Sequence, residues 1–472
     1  MSNKRRLHPA AIFFNFVKTV REAIFFIVIG FITFKDESYI YFILVLSALL
    51  LLFITLSVLS WYRFTYQVVD DELRIEYGII IRKQRYISKN RIHSIDLTAG
   101  VVHRIFKLVK VQIETAGSGM SAEASLKAVR LQEGERLRSE LKMLQQIDAQ
   151  EEEVEKQAPK ESISMRRLFI AGTTSGSVGV ILAIAAFGFS EIEQFIPDDF
   201  YNQTFEWVIG LGIAIIIVLV VVILLVLWLF GIAGTMIKYG NFTITKNDDE
   251  LFITRGLLEK KQLTIPLKRI QAIGIQESVI RQPLGYATVY AEVAGGSLDQ
   301  GEDFSTVLFP IMKKDEIAEF LEKFLPSYLS DHNNLEPLPK RARKFYIFRS
   351  IILFLALVVG VFIFFPQFSW IPGVLLIGSF YLGLLRHQDG GFLTENDRLT
   401  IRYRTMSKHT MIMFHKRIQS YEKKQYTLQK VQQLATMNIS IIGKLGVGKH
   451  FKLKDLDEDH VNQLADWYSY RK

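Results

Sequence analysis

Stretches without a single charge alternate with polar segments along this chain. Residues 39–61, 168–190 and 207–237 contain no Asp, Glu, Lys or Arg. An α-helix needs about 20 apolar residues to cross the hydrocarbon core of a bilayer. The pattern therefore predicts three membrane-spanning helices separated by segments that are too polar for lipid.

Two further stretches extend the membrane-embedded part. Residues 350–385 are also uncharged, but Pro366 interrupts them near the middle, and this predicts two spans joined by a tight turn. The apolar residues 23–34 are too few for a span by themselves. We therefore expect the first span to begin in the interfacial region, with Lys18 and Arg21 extending toward the headgroups. The prediction is six spans in three hairpins.

The distribution of Lys and Arg sets the expected orientation. The tips of the three hairpins carry one basic residue, Lys35, and an excess of Asp and Glu, although the whole chain has a net charge of +9. Lys and Arg next to the ends of spans remain on the cytosolic side. We therefore expect a multi-pass protein of the cell membrane with both termini and all soluble segments in the cytosol.

The three polar segments repeat one pattern. In each copy an acidic cluster precedes a leucine, and an Arg-Ile pair follows later. The interval from that leucine to that isoleucine is 19 residues in all three copies: Leu73 and Ile92, Leu251 and Ile270, Leu399 and Ile418. A shared spacing of this kind indicates an internal repeat in which a membrane hairpin and a soluble domain form one unit.

The pattern inside each copy is typical of strands followed by a helix. Apolar and polar residues alternate with period two, as in residues 73–77 and 111–115, and the acidic clusters between strands predict turns. A helical pattern closes the copies at residues 131–144, 313–325 and 457–470. Antiparallel strands with one C-terminal helix form the architecture of a pleckstrin-homology-like (PH-like) domain.

The second copy carries a family resemblance. Its residues 251–256, 265–273, 284–289 and 294–296 resemble the bacterial PH domain of membrane-flanked proteins. The paired spans before each domain resemble the organisation of the YdbT-like members of that family. The resemblance implies three β-rich PH-like domains on α-helical membrane hairpins.

Composition shifts set the expected boundaries. We assign residues 1–61 to membrane hairpin 1, 62–146 to PH-like domain 1, 147–166 to an acidic linker, 167–237 to membrane hairpin 2, 238–330 to PH-like domain 2, 331–344 to a basic linker, 345–385 to membrane hairpin 3 and 386–472 to PH-like domain 3.

The sequence offers little catalytic chemistry. It has no cysteine, and its nine histidines form no H-E-x-x-H motif. The glycines of residues 443–449 lack the spacing and the hydroxyl of a phosphate-binding loop. Because the acidic pairs Asp70-Asp71 and Asp248-Asp249 recur in the same turn of two copies, we interpret them as turn residues. We therefore expect no enzymatic activity, no metal and no cofactor.

One arginine recurs in all copies and is a candidate contact residue. Arg91, Arg269 and Arg417 occupy the same position of the repeat. A guanidinium suits a phosphate or a carboxylate of a ligand. An arginine ahead of a strand also bonds backbone carbonyls or a carboxylate of its own domain. The sequence leaves both interpretations open.

A second group of candidates is basic and local. Arg82, Lys83 and Arg85 cluster in the first copy, and juxtamembrane basic residues attract anionic lipid with about 1 kcal/mol each. The inositol phosphate mode of eukaryotic PH domains is not expected, because the hairpin between the first two strands is acidic here, at residues 70–72 and 248–250. Nucleic acid binding is not expected either, because the interleaved aromatic and basic residues of a stacking sheet are missing.

Two functions fit these features. The first is a non-enzymatic scaffold whose PH-like domains bind membrane lipids and other membrane or cytosolic proteins, and oligomers are compatible with it. The family resemblance implies a small paralogue with one PH-like domain as a partner. The alternative is an accessory component of a transport or export system for apolar or peptide substrates. Transport normally leaves an ionisable residue inside a span, and the clearly assigned spans contain none.

Overall fold

The computed structural model describes residues 4–33, 39–115, 123–141, 159–175, 213–294, 305–330, 334–443 and 448–469. The chain forms two compact units. The first comprises Met1–Ala158, Asn247–Thr254 and Leu258–Pro266, and the second comprises Pro159–Lys246, Arg255–Leu257 and Leu267–Lys472. Each unit is described by itself.

The first unit contains a helical hairpin and the first PH-like domain. Its helices are α1 (Ala10–Thr33), α2 (Tyr39–Arg63), α3 (Val101–Ile105) and α4 (Leu131–Leu141). Its strands are β1 (Arg5–Arg6), β2 (Thr65–Val69), β3 (Glu72–Tyr77), β4 (Lys83–Ser88), β5 (Ile92–Ala99), β6 (Leu108–Thr115) and β7 (Ala124–Arg130). One sheet has the order β1-β2-β3-β4, and β7-β6-β5 lie in a second sheet.

The core of this domain follows the alternation of the sequence. Leu73 and Ile75 on β3, and Val111 and Ile113 on β6, are at most 3% exposed. The closing helix α4 adds Leu137 to the same core. Two-residue periodicity therefore places the predicted apolar residues on the inner faces of the sheets.

The acidic clusters are turns, as predicted. Asp70 and Asp71 join β2 to β3 with positive φ values of 51° and 62°. Asp248 and Asn396 occupy the corresponding turns with φ values of 41° and 50°. Asp and Asn tolerate this left-handed backbone, which two-residue hairpin turns require. The acidic clusters therefore lie in the turns between strands.

The second unit contains most of the remaining chain. Its helices are α5 (Met165–Thr173), α6 (Ile213–Tyr239), α7 (Glu316–Phe324), α8 (Arg343–Phe364), α9 (Trp370–Asp389), α10 (Thr427–Val431) and α11 (Glu458–Ser469). The strands from here to the C-terminus are β8 (Lys160–Ser162), β9 (Thr243–Asn247), β10 (Glu250–Arg255), β11 (Lys260–Pro266), β12 (Ile270–Glu277), β13 (Tyr286–Val293), β14 (Thr306–Lys313), β15 (Glu336–Pro337), β16 (Gly391–Glu395), β17 (Arg398–Arg404), β18 (Lys408–Phe414), β19 (Ile418–Lys424), β20 (Leu434–Ile442) and β21 (Gly448–Asp457). Of these, Asn247 of β9, residues 250–254 of β10 and all of β11 belong to the first unit.

Every PH-like domain has six principal strands and a closing helix. The third strands of the three domains are β4, β11 and β18, and the fourth strands are β5, β12 and β19. A short 3-10 turn that contains Arg91, Arg269 or Arg417 separates the third strand from the fourth. The closing helices α4, α7 and α11 begin within three residues of the predicted positions.

Third and fourth strands pair between domains. In the first unit β11 pairs antiparallel with β5, and in the second unit β18 pairs antiparallel with β12. The second unit consequently contains a seven-stranded sheet of order β14-β13-β12-β18-β17-β16-β15 and a three-stranded sheet of order β19-β20-β21. Adjacent domains are joined by backbone hydrogen bonds as well as by the covalent chain.

The described residues contain four helices that are long and apolar enough to cross a membrane: Ile40–Arg63, Val221–Tyr239, Lys340–Phe364 and Pro366–Asp389. The last two confirm the predicted pair, and Pro366–Phe368 forms the tight turn between them.

The expected count of six spans is not reached in the described part of the chain. Helix α1 is 24 residues long but carries Lys18, Arg21 and Glu22, which make it too polar to count as a span by composition. The span predicted at residues 168–190 lies outside the described residues from 176 onward.

Candidate functional site

The repeated arginines fall into two environments. Arg269 donates from Nε to the Ala294 carbonyl at 2.9 Å, and the Ala294 amide donates back to the Arg269 carbonyl at 2.9 Å. Arg417 donates from Nη2 to the Lys268 carbonyl at 2.6 Å. Both guanidinium groups bond backbone carbonyls of the protein itself. Arg91 is exposed and has no side-chain partner among the described residues.

The three basic candidates of the first domain lie along β4. Arg82 is ion-paired with Glu76, which also receives a hydrogen bond from Lys4 at 2.8 Å. The bond from Lys4, supported by Arg82, lowers the pKa of the Glu76 carboxyl. Arg85 donates to the carbonyl of Glu123. Lys83 lies between them and is exposed. The structure places the three residues together, and they form a basic edge of the sheet.

A polar joint to a membrane hairpin, which sequence reasoning missed, lies after the fourth strand of the second domain. Arg281 reaches helix α5, where Nε donates to Thr174 Oγ1 at 2.9 Å and Nη2 donates to the Ala171 carbonyl at 3.1 Å. Its Nη1 donates to the Pro310 carbonyl on β14 at 3.1 Å. One guanidinium thus ties the domain to the helix that leads into hairpin 2, and burial lowers its pKa.

The first domain has a corresponding joint at His103. The imidazole stacks on Phe14 of α1, with ring centroids 3.9 Å apart and an interplanar angle of 11°. Its Nε2 donates to the Lys127 carbonyl on β7 at 2.9 Å. Lys127 also donates from Nζ to Asn15 of α1. Burial lowers the pKa of His103, so the neutral ring is favoured at this contact.

The third domain builds its joint from Gln429. Gln429 is buried and donates to Asp455 on β21 at 2.5 Å. Asp455 is 1% exposed and is ion-paired with Arg349 of α8. Tyr346 of the same helix donates to the Lys454 carbonyl at 2.8 Å. A buried carboxylate with two donors is stable in this setting, because the lost hydration is replaced by charge-assisted hydrogen bonds.

The three joints occupy one position of the repeat. The loop residues are separated by the same intervals as the core leucines of the copies, 178 and 148 residues: His103, Arg281 and Gln429. The accepting carbonyls lie at the β-bulge between the fifth and sixth strands, which recurs in all copies: Lys127, Pro310 and Lys454. A bulge leaves backbone groups without a ladder partner. In each copy such a carbonyl accepts a hydrogen bond next to the first helix of the hairpin.

These joints attach the domains to neighbouring helices. Among the described residues, no group of three or more His, Asp or Glu could hold a metal ion. The side chains in the joints bond backbone carbonyls, hydroxyls or each other. The arrangement holds α1, α5 and α8 each against a domain.

Comparison with known proteins identifies sequence relatives of this chain. The family model for the bacterial PH domain matches residues 19–145, 200–327 and 350–472. The chain is 35% identical to the transmembrane protein YdbT of Bacillus subtilis (strain 168) over 491 residues, which covers 100% of this chain and 99% of that protein. With three matched copies, each of which includes residues of a membrane hairpin, the chain belongs to the bacterial PH domain family of membrane proteins.

Proposed function

We propose that this protein is a non-enzymatic scaffold of the cell membrane that holds three cytosolic PH-like domains in fixed positions on its membrane helices. The observation that carries the proposal is the polar joint in each copy. His103 contacts α1, Arg281 contacts α5, and Gln429 bonds Asp455, which is ion-paired with Arg349 of α8. A flexible tether would be sufficient if the domains only had to stay near the membrane. A polar joint that is partly or fully buried in every copy favours a defined geometry instead.

The polar groups inside the spans favour a scaffold over transport. In α2 the hydroxyls of Ser47, Thr55 and Ser57 donate to carbonyls three or four residues earlier in the same helix, at 2.7 to 2.8 Å. In α9 Ser379 donates to the Leu376 carbonyl at 2.8 Å. Hydroxyls satisfied in this way do not offer the ionisable groups that usually mark a substrate pathway.

The position of the third domain relative to its helical hairpin can be tested by a distance measurement. The sequence has no cysteine, so spin labels at Gln367→Cys, in the turn between α8 and α9, and at Lys452→Cys, on β21, are unique. In nanodiscs the distance distribution should be narrow, and Arg349→Ala should broaden it. Arg343→Ala on the same helix is the matched control, because Arg343 is exposed and has no side-chain partner among the described residues. A broad distribution in the unmutated protein would overturn fixed presentation.

Orientation needs a separate experiment. Cysteines at Gln367 and at Lys314 are treated with an impermeant thiol reagent on intact cells. The Lys/Arg asymmetry predicts labelling at Gln367 in the hairpin tip and protection at Lys314 in the second domain. Labelling of the Lys314 site would place the domains outside the cell and contradict the proposal.

A further inference from the structure

The PH-like domains are also joined by two strand pairs, β5 with β11 and β12 with β18, and these interdomain joints share one register. Lys260 lies opposite Ala99 in the first joint, and Lys408 lies opposite Glu277 in the second. Lys260 and Lys408 each precede the repeated arginine of their copy by nine residues. Ala99 and Glu277 each follow it by eight. The third strand of one domain therefore pairs with the fourth strand of the preceding domain in the same register in both cases.

Two strands of these types have no such partner among the described residues. β4 is the third strand of the first domain, and it is the outer strand of its sheet in the described part of the chain. β19 is the fourth strand of the third domain and is likewise an outer strand among the described residues. An outer strand presents backbone N–H and C=O groups that another strand can pair with.

Exposure distinguishes the outer strands from the joined ones. All residues of β12 except Gln276 are buried, whereas Ile418 alone is buried on β19. On β4 Ile87 is the one buried residue, and Tyr86 is 56% exposed. β4 and β19 are therefore a third and a fourth strand of the repeat that are more exposed than β12, which pairs with a strand of the next domain.

Charge complements the pairing in both internal joints. The third strands are basic, with Lys260 and Lys261 on β11 and Lys408 on β18. The fourth strands are acidic. Asp96 on β5 accepts from the Thr264 amide of β11 at 3.1 Å, and Glu277 on β12 is ion-paired with Lys408 at 2.8 Å. Opposite charges across strands stabilise a pair, and like charges destabilise it.

Only one of the two outer strands keeps this complementarity. β4 and the residue before it are strongly basic through Arg82, Lys83 and Arg85, as expected for a third strand that receives an acidic fourth strand. β19 has Lys423 and Lys424 beside Glu422 and is therefore net basic, the reverse of β5 and β12. With the shared register, a second copy of this chain would place Lys83 opposite Lys424 and Arg85 opposite Glu422, so two net basic strands would meet.

We propose that β4 is a docking edge for the fourth strand of a PH-like domain carried by a separate chain, and that this strand is net acidic. The net basic charge of β19 disfavours pairing of β4 with β19 of another copy of this protein. The proposal rests on the scaffold function above and names the chemistry of its partner. Because it concerns β4 alone, its failure leaves the distance distribution of the third domain unchanged, so the two proposals fail separately.

The test uses the full-length protein in nanodiscs and synthetic peptides as probes. One peptide has the sequence of β5, Ile92–Ala99, which carries Asp96, and the matched control has the sequence of β19, Ile418–Lys424. The shared register puts Lys83 opposite the position of Thr98, because Lys261 occupies that place in the first joint. The Lys83→Cys protein should therefore form a disulfide with a Thr98→Cys form of the β5 peptide. A peptide with Leu97→Cys, on the opposite face of the strand, should react far less.

Charge variants locate the binding site. Lys83→Glu leaves the ion pairs of Arg82 and Arg85 in place, and it should weaken binding of the β5 peptide by about threefold or more at low salt. Reversal of all three basic residues should weaken it by about tenfold or more. Lys423→Glu on β19 should leave binding of this peptide unchanged.

Three outcomes would overturn the proposal. In the first, neither peptide protects the β4 amides from hydrogen exchange at low salt. In the second, the β19 peptide binds as well as the β5 peptide. In the third, full-length Lys83→Cys and Lys424→Cys proteins cross-link to each other in mixed samples, which would make a second copy of this chain the occupant. Register-specific disulfide formation together with the charge dependence would support the docking edge.

Discussion

Acidification should loosen the joint between β12 and β18 through His409. This residue lies on β18 opposite Gln276, and its ring stacks on Tyr403 with centroids 5.3 Å apart. Burial, assisted by the positive charges of Lys449 and Arg404, lowers the pKa of His409 to about 4. The folded protein therefore holds the ring neutral throughout the physiological range.

The direction of the stability change with pH follows from proton uptake by the unfolded segment. An unfolded histidine titrates near pH 6.5. Between pH 6.5 and about 4 the unfolded segment binds the proton and the folded one does not, so stability contributed by the neutral ring is present above pH 6.5 and is lost as the pH falls. Integration of this difference from pH 7 to pH 5 gives a loss of about 2 kcal/mol. One pKa unit corresponds to about 1.4 kcal/mol, so the full shift sets an upper limit of about 3 kcal/mol.

Hydrogen exchange of the β18 amides measures this loss locally. After correction for intrinsic exchange, protection of residues 408–414 in nanodiscs should fall by about thirtyfold from pH 7 to pH 5. A local readout is needed because His103, in the first unit, also has a lowered pKa. Glu277, at the same joint, is a carboxylate whose burial is outweighed by hydrogen bonds from Lys314 and Lys408, so its lowered pKa lies below this pH window.

The variant His409→Gln is the control for this prediction. Glutamine fills a similar volume and cannot take up the proton, so its β18 protection should be nearly constant between pH 7 and pH 5. If the unmutated protein showed constant protection too, or if both proteins lost protection equally, the histidine would not be the group responsible.

Three further substitutions test the fold by thermal unfolding of the purified protein. Leu251→Asp buries a carboxylate at a fully buried strand position and should cost several kcal/mol, about 3–5, so an unchanged melting temperature would refute the assigned strand register. Gly274→Ala places a methyl group 2.1 Å from the Tyr290 ring and should destabilise by about 1–3 kcal/mol, and a neutral effect would show that the ring moves freely. Arg269→Ala removes the bond to the Ala294 carbonyl and should cost about 1 kcal/mol without changing liposome binding, whereas loss of lipid binding would assign Arg269 to a ligand.

The repeat and its turns were predictable because their signals are local. Alternation around Leu73 and the acidic pair Asp70-Asp71 lie within a few residues of each other, and periodicity and turn chemistry act at that range. The pairing of β5 with β11 was not predictable in the same way. Its partners are separated by a membrane hairpin, and nothing in either strand alone indicates which edge it pairs with.

The joints to the membrane helices were missed for a different reason. Their loop residues share a position but no chemistry, since one is an imidazole, one a guanidinium and one an amide: His103, Arg281 and Gln429. The residue type that does recur is the arginine before each fourth strand, and two of these three arginines bond the protein's own backbone. The constant intervals of the repeat were the signal that could have found the joints.

The pairing of β5 with β11 also sets an order of events during synthesis. About 160 residues separate Ala99 from Lys260, and they include a membrane hairpin. At 5–20 residues per second, β5 waits roughly 10–30 s on the ribosome before its partner strand emerges. During that interval its open edge is exposed to every other nascent chain at the membrane. A carboxylate such as Asp96 on the waiting strand repels other acidic strands, and it is covered once the basic third strand of the next domain arrives.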